Sequence, residues 1–215
     1  MQARWLQRAS SPGRKVSQSK TAHPAHRERR GSSRTAKCHD LFSDIKHFTG
    51  ISEQLTASTI VHLLNEYFGA VAKVIHGHRG IVDKYIGDAV MAFWVPPFLA
   101  GDDRARDACA AALAQQEAIV ALQTRLPEIT SMRRNAPELV VRMGIATGEA
   151  VVGTIGSESA GSYTVIGDSV NLASRLEGVN KVYEDLSVGS AGHRSARGGC
   201  DHGSPARWRR FASTD

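Results

Sequence analysis

GIVDKYIGDAVMAFW, residues 80–94, contains two short runs that are rich in β-branched and aromatic residues and meet at Gly87-Asp88. This composition is typical of two strands joined by a tight turn, and the glycine at the turn favours a β-hairpin. Pro96-Pro97 ends the second strand, because proline cannot donate to a sheet ladder. The stretch therefore predicts a domain that contains an antiparallel sheet.

Helical periodicity lies on both sides of this hairpin. Apolar residues recur at spacings of three and four from Ile60 to Ile75, which predicts an amphipathic helix over residues 57–76. An alanine-rich stretch over residues 102–126, with aspartates near its start, predicts a second long helix. Further predictions are strands at 41–45, 139–146, 149–153 and 163–167, a short helix at 47–55, and a last helix through residue 176. This order predicts an α+β fold with helices packed on one face of a mainly antiparallel sheet.

The 215-residue chain divides into three regions of different composition. Residues 1–40 carry a net charge of +8, residues 41–183 carry −3, and residues 184–215 are rich in glycine, arginine and serine. The two end regions have too few apolar residues to offset chain entropy, so we expect disordered tails there and one folded domain over residues 41–183. The basic charge belongs to the first tail, whose run Arg27–Arg30 has no interleaved aromatic residues, so a nucleic-acid partner is not expected.

The spacing of the cysteines and the length of the apolar runs indicate the cellular compartment of the protein. Cys38, Cys109 and Cys200 are too widely spaced for a disulfide framework or a paired CxxC zinc motif. No apolar run reaches the roughly 18 residues that a membrane span requires. These observations predict a cytoplasmic protein with no membrane segment in this chain.

Two aspartates each follow a predicted strand. Asp44 ends the first strand at a helix start, and Asp88 follows Gly87 at the hairpin tip. If the two strands pair side by side, both carboxylates emerge at one edge of the sheet and can share hard cations such as Mg²⁺. The helix start at Lys46–Thr49 offers free N–H groups to a polyphosphate. The alternative is structural, with Asp44 as a helix cap and Asp88 as a turn residue.

Four motifs, in this order, resemble those of class III nucleotidyl cyclases. They are LFSDIKHFT at 41–49, KYIGDAVMAF at 84–93, MGIATG at 143–148 and YTVIGDSVNLASRLE at 163–177. The resemblance covers residues 41–183 and implies the ferredoxin-like cyclase fold. The glycine- and arginine-rich tail replaces the strands with which the family's domain ends, so we expect the sheet to lack its C-terminal strands.

The resemblance implies roles for individual residues. Asp44 and Asp88, with the backbone carbonyl of Ile45, match the ligands of two Mg²⁺ or Mn²⁺ ions. Lys84 and Thr164 match the pair that reads the purine, and a Lys and Thr pair is similar to that of enzymes that select adenine.

Two further matches lie on the last helix. Asn171 matches the asparagine that orients the ribose, and Arg175 matches the arginine that stabilises the transition state. They are four residues apart, so both project from one helical face. In the family, the metal-binding aspartates come from one subunit, and the purine-reading pair and this helix come from the other. The resemblance therefore implies a head-to-tail homodimer.

The function implied by the resemblance is adenylate cyclase activity, which converts ATP to 3′,5′-cyclic AMP and pyrophosphate in intracellular signalling. A second hypothesis is a catalytically silent cyclase-like module that dimerises or binds nucleotide, because the C-terminal elements are missing. The polar residues 36–40 also replace a usually apolar run, which predicts a shortened or solvated first strand. A Walker-type ATPase is not supported, since the chain contains no GxxxxGK[ST] string.

Overall fold

A computed structural model describes residues 33–96, 103–132, 136–157, 160–183, 187–189 and 208–210 of the protein. The strands are β1 (Arg34–Ile45), β2 (Ile81–Ile86), β3 (Ala89–Trp94), β4 (Val141–Ser157), β5 (Ala160–Ile166), β6 (Ser187–Gly189) and β7 (Trp208–Arg210). The helices are α1 (Phe48–Ser52), α2 (Ala57–Gly77), α3 (Asp103–Gln123), α4 (Leu126–Ile129) and α5 (Asp168–Tyr183). None of the helices in this described part combines the length and the apolar character needed to cross a bilayer.

The strands form one sheet in the order β2-β3-β1-β4-β6-β7, with β5 paired to β4. The pairs β1–β3, β1–β4, β2–β3 and β4–β5 are antiparallel. The short strands differ, since β6 runs parallel to β4 and β7 parallel to β6. The predicted α+β fold with a mainly antiparallel sheet is confirmed.

The hairpin and the long helices form close to their predicted positions. Gly87 adopts a φ of 65° at the turn between β2 and β3, a conformation that costs glycine little. Helix α2 begins after Thr56, whose hydroxyl accepts a hydrogen bond from the Thr59 N–H. Its buried stripe matches the predicted periodicity and consists of Leu63, Tyr67, Val71 and Ile75.

Strand β1 begins at Arg34, so the predicted domain start at residue 41 is wrong. Residues 34–45 pair with β4 along their whole length. Only residues 39–43 also pair with β3, so the first part of the strand has one neighbour and tolerates exposed polar side chains. The predictions of a disordered tail and of a shortened first strand were based on these polar side chains. Residues 1–32 of that predicted tail lie outside the described residues.

The predicted C-terminal tail, residues 184–215, contains β6 and β7, each of three residues. At these positions the backbone of β6 pairs with β4 and that of β7 pairs with β6, which differs from the predicted disorder. The rest of that predicted tail lies outside the described residues. Strand β4 is a single strand of 17 residues where the sequence suggested two. It continues through Thr147 and Gly148, which lie opposite His39 and Cys38 of β1.

Helices cover both faces of the sheet rather than one. Helices α2, α3 and α4 pack on one face, over a core that includes Trp94. Successive side chains of a strand alternate, and on the other face Ala173 and Leu176 of α5 pack against Ala146. Gly144 permits this close approach, because a Cβ there would lie 2.2 Å from the carbonyl oxygen of Ala173. Helix α5 is thereby held against the centre of the sheet.

Candidate active site

Asp44 and Asp88 lie together at one edge of the sheet. Strands β1 and β3 are paired up to Ser43 opposite Val90, which brings the end of β1 next to the β2–β3 turn. There the Oδ2 atom of Asp88 accepts a hydrogen bond of 3.2 Å from the Ile45 N–H. The two carboxylates are therefore adjacent, as a shared cation site requires.

The two carboxylates also interact electrostatically. The pKa of Asp88 is raised to about 6, first by burial and then by a hydrogen bond with Asp44 and the negative charge of that residue. The Ile45 N–H acts in the opposite direction and lowers it. Two acids this close cannot both ionise without cost, so a proton or a cation is favoured between them.

Arg142 is a further charged residue at this edge. It lies opposite Asp44 in the β1–β4 pairing, and its Nη2 atom is 2.8 Å from Asp44 Oδ2. Its Nε atom is 3.2 Å from Oε1 of Glu177 on α5. The Arg142 side chain is only 7% exposed, so its charge requires these partners. This ion pair was not predicted from the sequence, in which the available signal was a charged residue inside an apolar strand.

A cavity of about 550 Å³ opens beside these groups. It is lined by Asp44, Asp88, Arg142, Asn180 and residues 45–49. The stretch Lys46–Thr49, which the sequence suggested as a polyphosphate contact, therefore faces the same space as the two carboxylates.

Lys84 and Thr164 form the second group of predicted site residues. The Nζ atom of Lys84 donates a hydrogen bond of 3.3 Å to Oγ1 of Thr164, although the two residues are on different strands, β2 and β5. Thr164 is buried, whereas the Lys84 side chain is 46% exposed. The structure thus brings together the two residues that the resemblance assigns to the purine.

Asp83 is a third member of this group, and the sequence analysis did not select it. The Thr164 hydroxyl donates to Oδ2 of Asp83 at 2.6 Å, and Lys84 Nζ lies 3.5 Å from the same oxygen. The Asp83 side chain is completely buried. The sequence feature that could have identified Asp83 is the position of a carboxylate directly before Lys84 in a predicted strand. Simple alternation, however, places adjacent side chains on opposite faces of a strand.

Asp40 is a second buried carboxylate near this group. Burial raises the pKa of Asp40, and so does the negative charge of Asp83. Hydrogen bonds from the Cys38 thiol, at 3.0 Å, and from Ser169 lower it. Asp40 therefore has a donor of its own, the Cys38 thiol on the same strand.

Asn171 and Arg175 are both exposed on α5, one turn apart. The Nε atom of Arg175 donates to the backbone oxygen of Asn171 at 3.4 Å. Within the part of the chain that the structure describes, the polar contacts of the predicted site residues fall into three separate groups. The structure does not join Asn171 and Arg175 to either the carboxylates or the Lys84–Thr164 group.

Residues 32–189 match the family model of the adenylate and guanylate cyclase catalytic domain, which is more than half of the chain. The chain belongs to this cyclase family. The chain is 42% identical over 145 residues to adenylate cyclase 1 of Rhizobium meliloti (strain 1021). That alignment covers 66% of this chain and 21% of the relative, so the chain spans about a fifth of the length of that protein.

Two solved cyclase structures are similar to this cyclase to nearly the same extent. The guanylyl cyclase Cya2 is 36% identical with a TM-score of 0.61, over 69% of this chain and 72% of that one. The adenylyl cyclase CyaB from P. aeruginosa is 35% identical with a TM-score of 0.55, over 69% and 74% of the two chains. Overall similarity therefore does not choose between ATP and GTP, and the choice must be argued from the residues of the site.

Proposed function

We propose that this cyclase domain converts ATP to 3′,5′-cyclic AMP and pyrophosphate. The observation that carries the choice of ATP is the contact between Lys84 and Thr164. A lysine ammonium can donate to a ring nitrogen of adenine, and a threonine oxygen can accept from its exocyclic amine. This pattern of one donor and one acceptor is complementary to adenine.

We assign Asp44, Asp88 and the backbone carbonyl of Ile45 as the residues that would hold two Mg²⁺ or Mn²⁺ ions. Two adjacent carboxylates, of which Asp88 has a raised pKa, offer the hard oxygen ligands that these ions prefer. Among the described residues no group of three or more acidic, histidine or cysteine side chains could hold a metal, so phosphate and water would complete the coordination. When bound, the ions supply positive charge to the 3′-hydroxyl and to the leaving phosphates.

Arg175 and Asn171 would act on the phosphates and the ribose. The Arg175 guanidinium is permanently charged and can donate two parallel hydrogen bonds to phosphate oxygens as charge develops on them. The amide of Asn171, one turn earlier, can hold the ribose so that its 3′-hydroxyl lies in line with the α-phosphorus. Both side chains are exposed in the single chain, which leaves them available to a nucleotide held by a second chain.

A head-to-tail homodimer would unite the three groups. Among the described residues, six of the eight exposed large apolar side chains lie on β2, β5 and α5, which carry the purine-reading and α5 residues, and on β4, which pairs with β5. They are Tyr85 and Ile86 on β2, Val151 and Ile155 on β4, Ile166 on β5 and Leu172 on α5. Exposed apolar side chains concentrated on a few elements are typical of an interaction surface. Two equivalent sites would then form across the interface.

A reducing compartment agrees with this activity. Cys38 and Cys109 are both free and buried, so neither contributes a disulfide to the described structure. Free buried cysteines are typical of proteins in the cytoplasm, where ATP is available.

The direct test is turnover of the full chain with Mn-ATP and, separately, Mn-GTP at high protein concentration. We expect cyclic AMP from ATP and far less cyclic GMP from GTP. If ATP raises the melting temperature but no cyclic AMP forms, the chain is the silent nucleotide-binding module of the second hypothesis. Preferential formation of cyclic GMP would show that the assignment of the base is wrong.

The homodimer has its own test. Asp44→Ala and Arg175→Ala proteins are each expected to be nearly inactive, but a mixture should recover activity because each heterodimer contains one site with intact residues from both chains. A mixture as inactive as its two components would argue against a shared site.

A further inference from the structure

We propose that Asp83 is a positioning residue that makes the purine site select adenine, by holding the Thr164 hydroxyl as an acceptor. This inference rests on the proposed adenylate cyclase function and deepens it. A threonine hydroxyl is ambiguous by itself, because it can either donate its proton or accept one. The hydroxyl could thus bind the amine of adenine or the carbonyl oxygen of guanine.

The hydrogen bonds of Thr164 remove this ambiguity. The Thr164 hydroxyl donates to Oδ2 of Asp83 at 2.6 Å, so its proton is engaged by that carboxylate. One lone pair of Oγ1 faces the Lys84 ammonium at 3.3 Å. The remaining lone pair can only accept, so it suits the 6-amino group of adenine and repels a 6-oxo group.

Asp83 also orients Lys84. Its Oδ2 atom lies 3.5 Å from Lys84 Nζ, which places a negative charge beside the ammonium group. An ammonium has three donors, so after the contacts with Thr164 and Asp83 it retains one for a ring nitrogen. The N1 atom of adenine is an acceptor, whereas N1 of guanine or hypoxanthine carries a proton. Both members of the pair therefore present the pattern that matches adenine.

A β-bulge makes the arrangement possible. Strand β2 pairs with β3 at Val82 opposite Ala92 and again at Lys84 opposite Met91, so Asp83 is the extra residue between two paired ones. A bulge breaks the alternation of side chains, and it allows both Asp83 and Lys84 to reach Thr164. The cost of burying the Asp83 carboxylate is offset by these two partners.

The test compares ATP with inosine triphosphate, which replaces the 6-amino group by an oxo group and adds a proton at N1. We expect Asp83→Ala to lower the ATP-to-inosine-triphosphate ratio of kcat/KM by roughly tenfold or more, the scale of one hydrogen bond gained or lost. Asp83→Asn keeps an acceptor oxygen and should retain most of the ratio. As a matched control, Asp107→Ala removes a carboxylate that binds Arg79 at 2.6 Å elsewhere in the fold, and its ratio should equal that of the wild type.

A double-mutant cycle separates positioning from a general structural role. If Asp83 acts through the Thr164 hydroxyl, Asp83→Ala should change the ratio less in a Thr164→Val background than in the wild type, where only its effect through Lys84 remains. An unchanged ratio in Asp83→Ala itself would overturn the proposal. If Asp83→Ala does not fold, Thr164→Val alone decides: a wild-type ratio in that variant would show that the hydroxyl carries no selectivity.

Binding is measured in parallel through the rise of the melting temperature with ATP or inosine triphosphate. This readout tests Asp83 even if the wild type makes no cyclic AMP. Absence of cyclic AMP would overturn the proposed function alone, whereas loss of binding selectivity in Asp83→Ala would still support the role of Asp83. Equal binding selectivity in wild type and Asp83→Ala would overturn it.

Discussion

The Asp44–Asp88 pair and the Asp83–Lys84–Thr164 group differ in how the negative charge of their acidic side chains is compensated. In the pair, two like charges are adjacent, and the pKa of Asp88 is raised to about 6. In the group, the Asp83 carboxylate accepts from Thr164 and lies 3.5 Å from the Lys84 ammonium.

The difference indicates what each region requires from a ligand. The pair is electrostatically unfavourable until a proton or a cation is bound, although Arg142 offsets part of the charge of Asp44. The group already has its internal partners, so little ordering is needed when a base binds. Loss of Asp88 should therefore stabilise the metal-free protein, whereas loss of Asp83 should destabilise it.

The largest effect is expected from breaking the carboxylate pair. Asp44→Ala or Asp88→Ala should abolish metal-dependent formation of cyclic AMP, because each removes a ligand that no other described side chain replaces. The measurement is turnover over a range of Mn²⁺ concentrations. Asp103→Ala, at the exposed start of α3, is the control and should retain activity. Turnover comparable to the control in either variant would remove the metal assignment.

The next largest effect concerns a residue outside both regions. Arg175→Ala should lower kcat by roughly 10² to 10³, the range for loss of one transition-state donor. Arg175→Lys should not restore the rate, since lysine lacks the planar fork. Arg125→Ala is a matched control, because this arginine binds Glu66 at 2.8 Å and belongs to neither region. Equal rates in Arg175→Ala and Arg125→Ala would refute the role in catalysis.

A smaller effect, on the stability of the protein, is expected from removing the carboxylate of the purine-reading group. Asp83→Ala should lower the free energy of unfolding by about 1 to 3 kcal/mol, because it leaves the buried Thr164 hydroxyl without its acceptor. Urea unfolding in EDTA at about pH 7.5 measures this change. An increase in stability would mean that the buried carboxylate is a net cost, contrary to the comparison.

The smallest effect has the opposite sign. The pKa of Asp88 is raised in the folded state, so the folded protein retains this proton to a higher pH than the unfolded chain, and stability falls as pH rises from about 4 to about 6. Asp88→Asn removes this cost. It should raise the melting temperature in EDTA by about 2 to 4 °C near pH 7.5, the scale of ~1 kcal/mol after allowance for solvent screening.

Repeating that measurement at low pH gives its internal control. Near pH 3, below the ordinary Asp pKa of 3.8, the carboxyl is protonated in the folded wild type and largely so in the unfolded chain, so the variant and the wild type should melt at nearly the same temperature. An equal stabilisation at both pH values would indicate a packing effect rather than relief of charge.

Much of the fold was predictable because its signals are local. The hairpin at residues 80–94 follows from its composition and from Gly87, and α2 follows from the spacing of its apolar residues. The adjacency of Asp44 and Asp88 was predictable once side-by-side strands were assumed. The start of β1 was not, because the polar residues after Arg34 are ordered by pairing with β4, more than a hundred residues later in the chain.

The sequence by itself determined the α+β architecture and the residues that the cyclase motifs carry, since periodicity and motif order are properties of neighbouring residues. Only the tertiary structure decided the partners of Arg142 and of Asp83. The first depends on the packing of α5 against β4, and the second on a bulge in the β2–β3 register. Both arise from the alignment of distant segments, which no local pattern specifies.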